Sequence, residues 1–240
     1  MAITRLGIIG GVGPLAGAHF YQRLIQLSPA VRDEDHLPVV MVSERIPSRV
    51  RHLIHGGPSP LPALRRAARA LVLSGADTIA VPSATTHAYR SRLADEVAVP
   101  VLDLLARVGE ALTGLGCARP VLLATVATRR LGLYEPHLPE PMKARYPTDQ
   151  GQRQVDGIID AVKRGEPLEA LREHLSHLLC ERPWPGDADC VVLGCTELSV
   201  VAPAMACLPL LDVTDVLART VVTQWEPVAP RGGEELPCPS

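Results

Sequence analysis

The residues best suited to chemistry are a thiol and a hydroxyl at matching places in two similar stretches. Asp189-Cys190-Val191-Val192-Leu193 reads as a short buried strand, with Cys195 just past its end in Gly194-Cys195-Thr196-Glu197. Asp77-Thr78-Ile79-Ala80-Val81 reads the same way. Ser83 stands six positions after Asp77, as Cys195 stands six after Asp189. Two equivalent strand ends facing one cleft would present one group to each face of a small substrate. Cysteines in a chain of this kind are by default small buried hydrophobes, and Cys190 within its apolar run fits that reading. Cys195, after a glycine at a strand end and before the polar Thr196-Glu197, is open to both readings, buried thiol or placed reactive thiol. The others, Cys117, Cys180, Cys207 and Cys238, form no C-x-x-C pair and no regular framework.

The elements that would position these residues alternate strand and helix, the signature of a parallel sheet wrapped by helices. Leu6–Ile9 is a strand, and Gly10-Gly11-Val12-Gly13-Pro14 turns into a helix over Leu15–Leu27, where Pro14 suits the first helical position. A strand at Pro38–Val42 follows, then a helix at Leu61–Ser74, the strand ending at Val81, a helix around His87–Glu96 and a strand at Val101–Asp103. After Gly114-Leu115-Gly116 the order restarts with a strand at Pro120–Ala124 ending in Thr125. Helices at Val155–Lys163 and Leu168–Leu179 lead to the strand before Cys195. Gly11 to Ser83 spans 72 residues and Thr125 to Cys195 spans 70. The expectation is two related three-layer α/β domains, mainly parallel, with a cleft between them. Residues 1–100 together with a final helix at Leu211–Trp225 would make the first, 101–210 the second, and 226–240 a disordered tail.

Other candidate groups have plainer readings beside the functional one. Gly11-x-Gly13-x-x-Ala16 between strand and helix loosely matches a dinucleotide fingerprint, with Glu44 as the ribose acid. Any tight strand-to-helix turn wants glycine, however, and such a turn also suits a carboxylate or phosphate. Arg49 follows the second strand on a loop and could hold a carboxylate with its planar fork, or be simply solvated. Lys163 and Arg164 close a helix, where positive charge is stabilising anyway. His174 and His177 share a helix face but lack a nearby third metal ligand, so no metal is expected. Thr85-Thr86-His87 could cap the next helix, and Ser83 lacks the G-x-S-x-G elbow of a serine hydrolase.

Composition narrows the function further. The chain has 240 residues, a net charge of −2, one Phe, two Trp and four Tyr. That is too little aromatic surface and too little positive field for a nucleic-acid platform. No apolar run of about 18 residues exists to span a membrane. The amino terminus enters a strand directly, so the expectation is a cytoplasmic protein with no membrane or nucleic-acid partner.

Taken in series, the motifs resemble the aspartate/glutamate racemase family. Its G-G-M-G-P-x-A-T opening is seen as Gly10-Gly11-Val12-Gly13-Pro14-Leu15-Ala16-Gly17, and D-x-x-H-x-P as Asp33-Glu34-Asp35-His36-Leu37-Pro38. I-P-D-R-T is seen as Ile46-Pro47-Ser48-Arg49-Val50, and P-C-N-T-A-H as Pro82-Ser83-Ala84-Thr85-Thr86-His87. L-L-A-T is Leu122-Leu123-Ala124-Thr125, and L-G-C-T-E-L is intact at 193–198. The resemblance covers about residues 4–225. It implies cofactor-independent inversion at an α-carbon by two opposed cysteines, in an enzyme that is commonly a homodimer. By that analogy Cys195 is the acid/base, Glu197 assists it, and Ser83 is its counterpart, helped by His87. Arg49 and Lys163 hold substrate carboxylates, and Gly11, Gly13, Ala84, Thr85, Thr125 and Thr196 line the substrate.

The departure lies at Ser83 and Ala84, where the family has Cys and Asn. A hydroxyl is a far weaker acid than a thiol, whose reference pKa is about 8.5, so it is a poor base unless activated. The leading expectation is a racemase or related isomerase of a small acidic amino acid. A one-base decarboxylase, lyase or cyclising enzyme on the same scaffold, and an inactive small-acid binding protein, are the alternatives.

Overall fold

The computed structural model describes residues 2–204 and 206–226. The tail read at 226–240 therefore lies, apart from Glu226, outside the described residues, as does Cys238. Asp77 and Asp189 show why two strands begin alike. The Asp77 carboxylate accepts hydrogen bonds from the backbone N–H groups of Thr4 (2.8 Å) and Arg5 (3.0 Å), at the entry to the neighbouring strand. Asp189 does the same for Ala118 and Arg119, each at 2.9 Å. In each half an aspartate satisfies donors that the sheet leaves unpaired, and so sets the register of two adjacent strands.

The first half contains β1 (Leu6–Ile9), α1 (Pro14–Leu27), β2 (Val39–Val42), α2 (Arg49–His55), α3 (Leu61–Leu73), β3 (Thr78–Ala80) and α4 (Arg90–Ala94). After α5 (Leu104–Gly114), the second half has β4 (Pro120–Leu123), α6 (Val126–Arg130), α7 (Asp149–Arg164), α8 (Leu168–Glu181), β5 (Cys190–Leu193), α9 (Thr196–Val200), β6 (Leu210–Asp212) and α10 (Val213–Gln224). The sheets have the orders β2-β1-β3 and β4-β5-β6, and every pairing is parallel. Val101 bridges to Ile79 beyond β3, and Arg145 bridges to Val121 beside β4. With these bridges the two halves have the same strand order. Parallel strands end on one side, so the turns after β1, β3, β4 and β5 all open at the carboxyl edge of their sheets, the usual ligand edge of α/β folds.

Helices close the outer faces and exchange between the halves. The apolar stripe of α3, with Leu64, Ala67, Ala68 and Leu71 buried, packs against β1 and β2. In the second half, Val155, Ile159 and Val162 of α7 and Leu175 of α8 share a core with Val121, Val191 and Leu193. A central core joins Leu6, Ile8 and Phe20 to Leu104, Val108, Leu122, Val192, Val213 and Leu217. Although α5 follows the first sheet, it packs against α10 and the Glu135–His137 turn of the second half. At Gly109 any Cβ would stand 2.0 Å from the His137 carbonyl oxygen, which only glycine permits. In return α10 packs on α1.

Several boundaries differ from the sequence reading. Val101 stays with the first sheet and β6 with the second, so the chain crosses at Leu104 and Val213, later than 101 and 211. The segment carrying Arg49 is a helix rather than a loop, started by Ser48, whose side chain accepts from Arg51 N–H. The helix read at His87–Glu96 is a tight 3-10 turn over Ala84–Tyr89 followed by α4. Among the described residues no helix is long and apolar enough to cross a membrane.

The exchange predicts a test of the joint core. Leu217 is 1 % exposed, so Leu217→Ala should lower unfolding free energy by about 2–4 kcal/mol. Urea denaturation followed by circular dichroism reads that loss; a loss under 1 kcal/mol would mean α10 is not an integral layer.

Candidate active site

The turns at the carboxyl edges meet in a cleft of about 290 Å³. The first half lines it with Gly11, Gly13, Arg49, Ser83, Ala84 and Thr85, and the second with Thr125, Lys163, Cys195, Thr196 and Glu197. Aliphatic surface from Val12, Pro14, Ile46 and Val50 completes the wall. Eleven of the twelve residues picked out from sequence are therefore brought together; His87 is the exception.

Cys195 is the N-cap residue of α9, and its thiol donates to Glu197 Oε2 at 3.0 Å. Both residues are nearly sealed, at 6 % and 5 % exposure. Burial pushes the thiol pKa well up and the Glu197 charge adds to this, while Lys163 opposes it. The resting group is therefore a thiol, an acid with a carboxylate already placed to take its proton.

The glycine turn is shaped around that carboxylate. Gly13 has φ +140°, a conformation favouring glycine, and a Cβ there would stand 2.7 Å from Glu197 Oε1. A Cβ on Gly11 would lie 2.1 Å from the Glu44 carbonyl oxygen. The Glu44 carboxylate pairs with Arg66 at 3.3 Å, on partly exposed surface outside the cleft lining.

Two cations face the cleft. Arg49 donates to the carbonyl oxygens of Val12 and Pro47, and its Nε is buried with no partner. Burial pulls its pKa down, opposed chiefly by the Glu197 charge. Among the described residues no carboxylate contacts the guanidinium directly, so it has binding capacity left for an anion. Lys163 pairs with Asp160 at 3.2 Å and is partly exposed.

The opposite wall is wired differently. Ser83 Oγ accepts from the Thr86 hydroxyl at 2.8 Å, which leaves the Ser83 proton free to donate. His87 does not reach that hydroxyl. Its Nε2 accepts from Leu104 N–H at 3.0 Å, so Nδ1 carries the proton and donates to the Ser83 carbonyl at 2.9 Å. Burial lowers its pKa and keeps it neutral. The expectation that His87 helps Ser83 in proton transfer is thus corrected: both ring nitrogens are spent on backbone.

Hydroxyls tie the halves together around the cleft. Thr196 donates to the Pro82 carbonyl at 3.0 Å, so its hydroxyl holds the first half rather than offering a free proton. Thr85, Thr125 and Thr128 form a closed triangle with oxygen separations of 3.0–3.1 Å. Thr86, read from sequence as a possible helix cap, donates instead to Ser83, and Thr128 was missed as a site residue, as were two buried supports. Tyr134 donates its hydroxyl to the Gly194 carbonyl at 3.0 Å, directly before Cys195, and Gln152 donates to the Ala124 carbonyl at 2.8 Å, directly before Thr125. Each lies far along the chain from its partner, so no local spacing signals it. His174 and His177 line a different groove, between α7 and α8.

The family model described as Asp/Glu/Hydantoin racemase matches residues 9–221. The chain is 23% identical over 228 residues to the broad specificity amino-acid racemase RacX of Bacillus subtilis (strain 168), covering 92% of this chain and 97% of that one. Among solved structures, Picrophilus torridus aspartate racemase superposes with a TM-score of 0.82 at 26% identity, covering 92% and 93% of the two chains. An aspartate racemase homologue from Pyrococcus horikoshii shares the fold with a TM-score of 0.72 at 23% identity, covering 92% and 98%.

The electrostatics of the thiol predict a separation of ionisation from catalysis. Glu197→Gln removes a charge that disfavours the thiolate, so the pH midpoint for alkylation of Cys195 by iodoacetamide should fall. Lys163→Met should raise it. Unmoved midpoints in both variants would show that neither charge acts on the thiol.

Proposed function

Because the chain belongs to the Asp/Glu/Hydantoin racemase family and is an isomerase by that membership, we propose that it inverts the α-carbon of a small acidic amino acid or analogue. The observation that carries this reading is one cleft holding a thiol on a carboxylate beside a half-buried guanidinium that has no carboxylate partner among the described residues. An α-proton beside a carboxylate is very weakly acidic, so its removal needs both a base and fixed positive charge where negative charge develops. Arg49 and Lys163 supply the charge. Transfer of the thiol proton to Glu197 produces the thiolate, which takes the α-proton, and the resulting thiol returns it on the same face.

Ser83 faces the substrate from the other half and is set up as a donor. Protonation of a carbanion by a hydroxyl is downhill; the alkoxide left behind takes a proton from solvent, and Glu197 releases to solvent the proton it took from the thiol, which closes the cycle. Removal of an α-proton by Ser83 would need a base, and no neighbouring side chain that contacts its oxygen can serve as one. Thr86 donates to it, and both His87 nitrogens are engaged elsewhere. That wiring also favours the second reading, a one-base enzyme in which Cys195 alone protonates an enediolate left by loss of another group. Neither reading uses a cofactor.

The test is proton exchange in deuterated water, followed by NMR with both enantiomers of aspartate and of glutamate. One enantiomer should gain α-deuterium faster than it inverts, and Cys195→Ala should slow exchange on the order of 10²–10⁴-fold. Failure of all four compounds to gain deuterium would end the racemase reading for these substrates. Ser83→Cys should strongly increase inversion if the native hydroxyl is the weaker partner; little change would mean the serine already serves.

A further inference from the structure

Two cysteines remote in sequence and outside the cleft lining come together at the carboxyl end of α8. Cys180 lies in the last turn of this helix and Cys207 on the connection from α9 to β6, and both are exposed thiols. The Arg182 guanidinium, two residues past Cys180, donates to the Cys207 carbonyl at 3.3 Å and holds that connection against the helix end. Ala206 and Leu208, on either side of Cys207, pack on the core that contains Leu178 and Leu179 of α8. The Cys207 thiol, by hydrogen bonding first and by its charge second, pushes the Cys180 thiol pKa up. The remaining described thiols differ in access: Cys190 and Cys195 are buried, and Cys117, half-buried, neighbours the sealed Cys190.

We propose that Cys180 and Cys207 form a reversible redox site, which a small-molecule disulfide of the glutathione type converts to an intramolecular disulfide. One thiolate attacks a sulfur of the small disulfide and expels one thiolate product. The second cysteine then attacks the mixed disulfide and expels the other. The pair loses two electrons and two protons, and the small disulfide is reduced to two thiols. The new bond pins the α9–β6 connection to α8, and closing so long a loop constrains the unfolded chain. This site is independent of the reading given to the cleft.

The experiment treats the reduced full-length protein with oxidised glutathione, blocks free thiols with N-ethylmaleimide in denaturant, and maps unreduced peptides by mass spectrometry. The expected product joins the Cys180 and Cys207 peptides, carries two fewer maleimides than the untreated protein, and reverts with dithiothreitol. Cys180→Ser and Cys207→Ser should each lose the joined peptide and retain a glutathione adduct on the remaining thiol. Thermal unfolding of the wild-type protein should rise by several degrees on oxidation and not in either variant. Separate glutathione adducts on both cysteines, a link to Cys238, or a covalent dimer as the main product would overturn the proposal.

Discussion

A carboxylate that is 5 % exposed is the constraint around which the cleft is arranged. Glu197 sits where burial alone would be costly, so charge and hydrogen bonds must meet it. The Cys195 thiol donates to one oxygen, and the other lies against Gly13, where any side chain would collide. The Glu197 charge in turn helps keep half-buried Arg49 ionised. The glycine turn of the first half, the thiol of the second and the guanidinium of α2 are thus mutually required. Moving any one leaves a buried charge or a steric clash behind.

Holding these groups to fractions of an ångström requires that the halves not drift, and the exchange of helices supplies that. Because α5 packs on α10 and the Glu135–His137 turn, while α10 packs on α1, opening the cleft would disturb the central core. The dyad itself is tethered twice. Thr196 is tied to the Pro82 carbonyl across the cleft, and Ser199 Oγ donates to Asp212 Oδ1 at 2.6 Å behind it. Asp212 also caps α10 by accepting from Thr214 N–H at 2.7 Å, so one carboxylate joins the helix carrying Glu197 to the crossing helix. A rigid frame suits chemistry in which fixed dipoles, rather than moving ones, stabilise developing charge.

Much of this frame was legible in the sequence because its signals are local. Apolar runs marked β1, β3, β4 and β5, and a glycine or a polar residue after each marked the strand ends that converge. Asp77 and Asp189 signalled the repeat because each does the same hydrogen-bonding work at the same place in its sheet. What stayed hidden depends on partners distant in sequence. α2 looked like a loop because seven residues are too few to show a helical period, and the structure holds it by its caps, Ser48 at one end and Gly56 at the other. Tyr134 and Gln152 act on carbonyl groups 60 and 28 residues away, a pairing that no spacing rule encodes. His87 shows the opposite failure: nearness in sequence to Ser83 invited a catalytic role, yet the 3-10 turn directs its ring to backbone atoms.

On the proposed reading Ser83 stands where the family resemblance implies a thiol, and its wiring matters more than its acidity. Thr86 donates into the oxygen, so what Ser83 has left to offer is its proton. On that reading Cys195 and Glu197 form a couple that can take or give, whereas the opposite face can readily only give. Enantiomers have equal free energy, so this inequality cannot favour one of them at equilibrium. It can only change how a planar intermediate is divided between return to the thiol face and delivery from the hydroxyl face. Where the intermediate arises by loss of a group that does not come back, the same inequality becomes a stereochemical choice, because the face that holds the thiol decides the product. Under the proposed roles, a scaffold with one two-way face and one donor face lies between inversion and enantioselective protonation, and the substrate's leaving group would determine which of the two it performs.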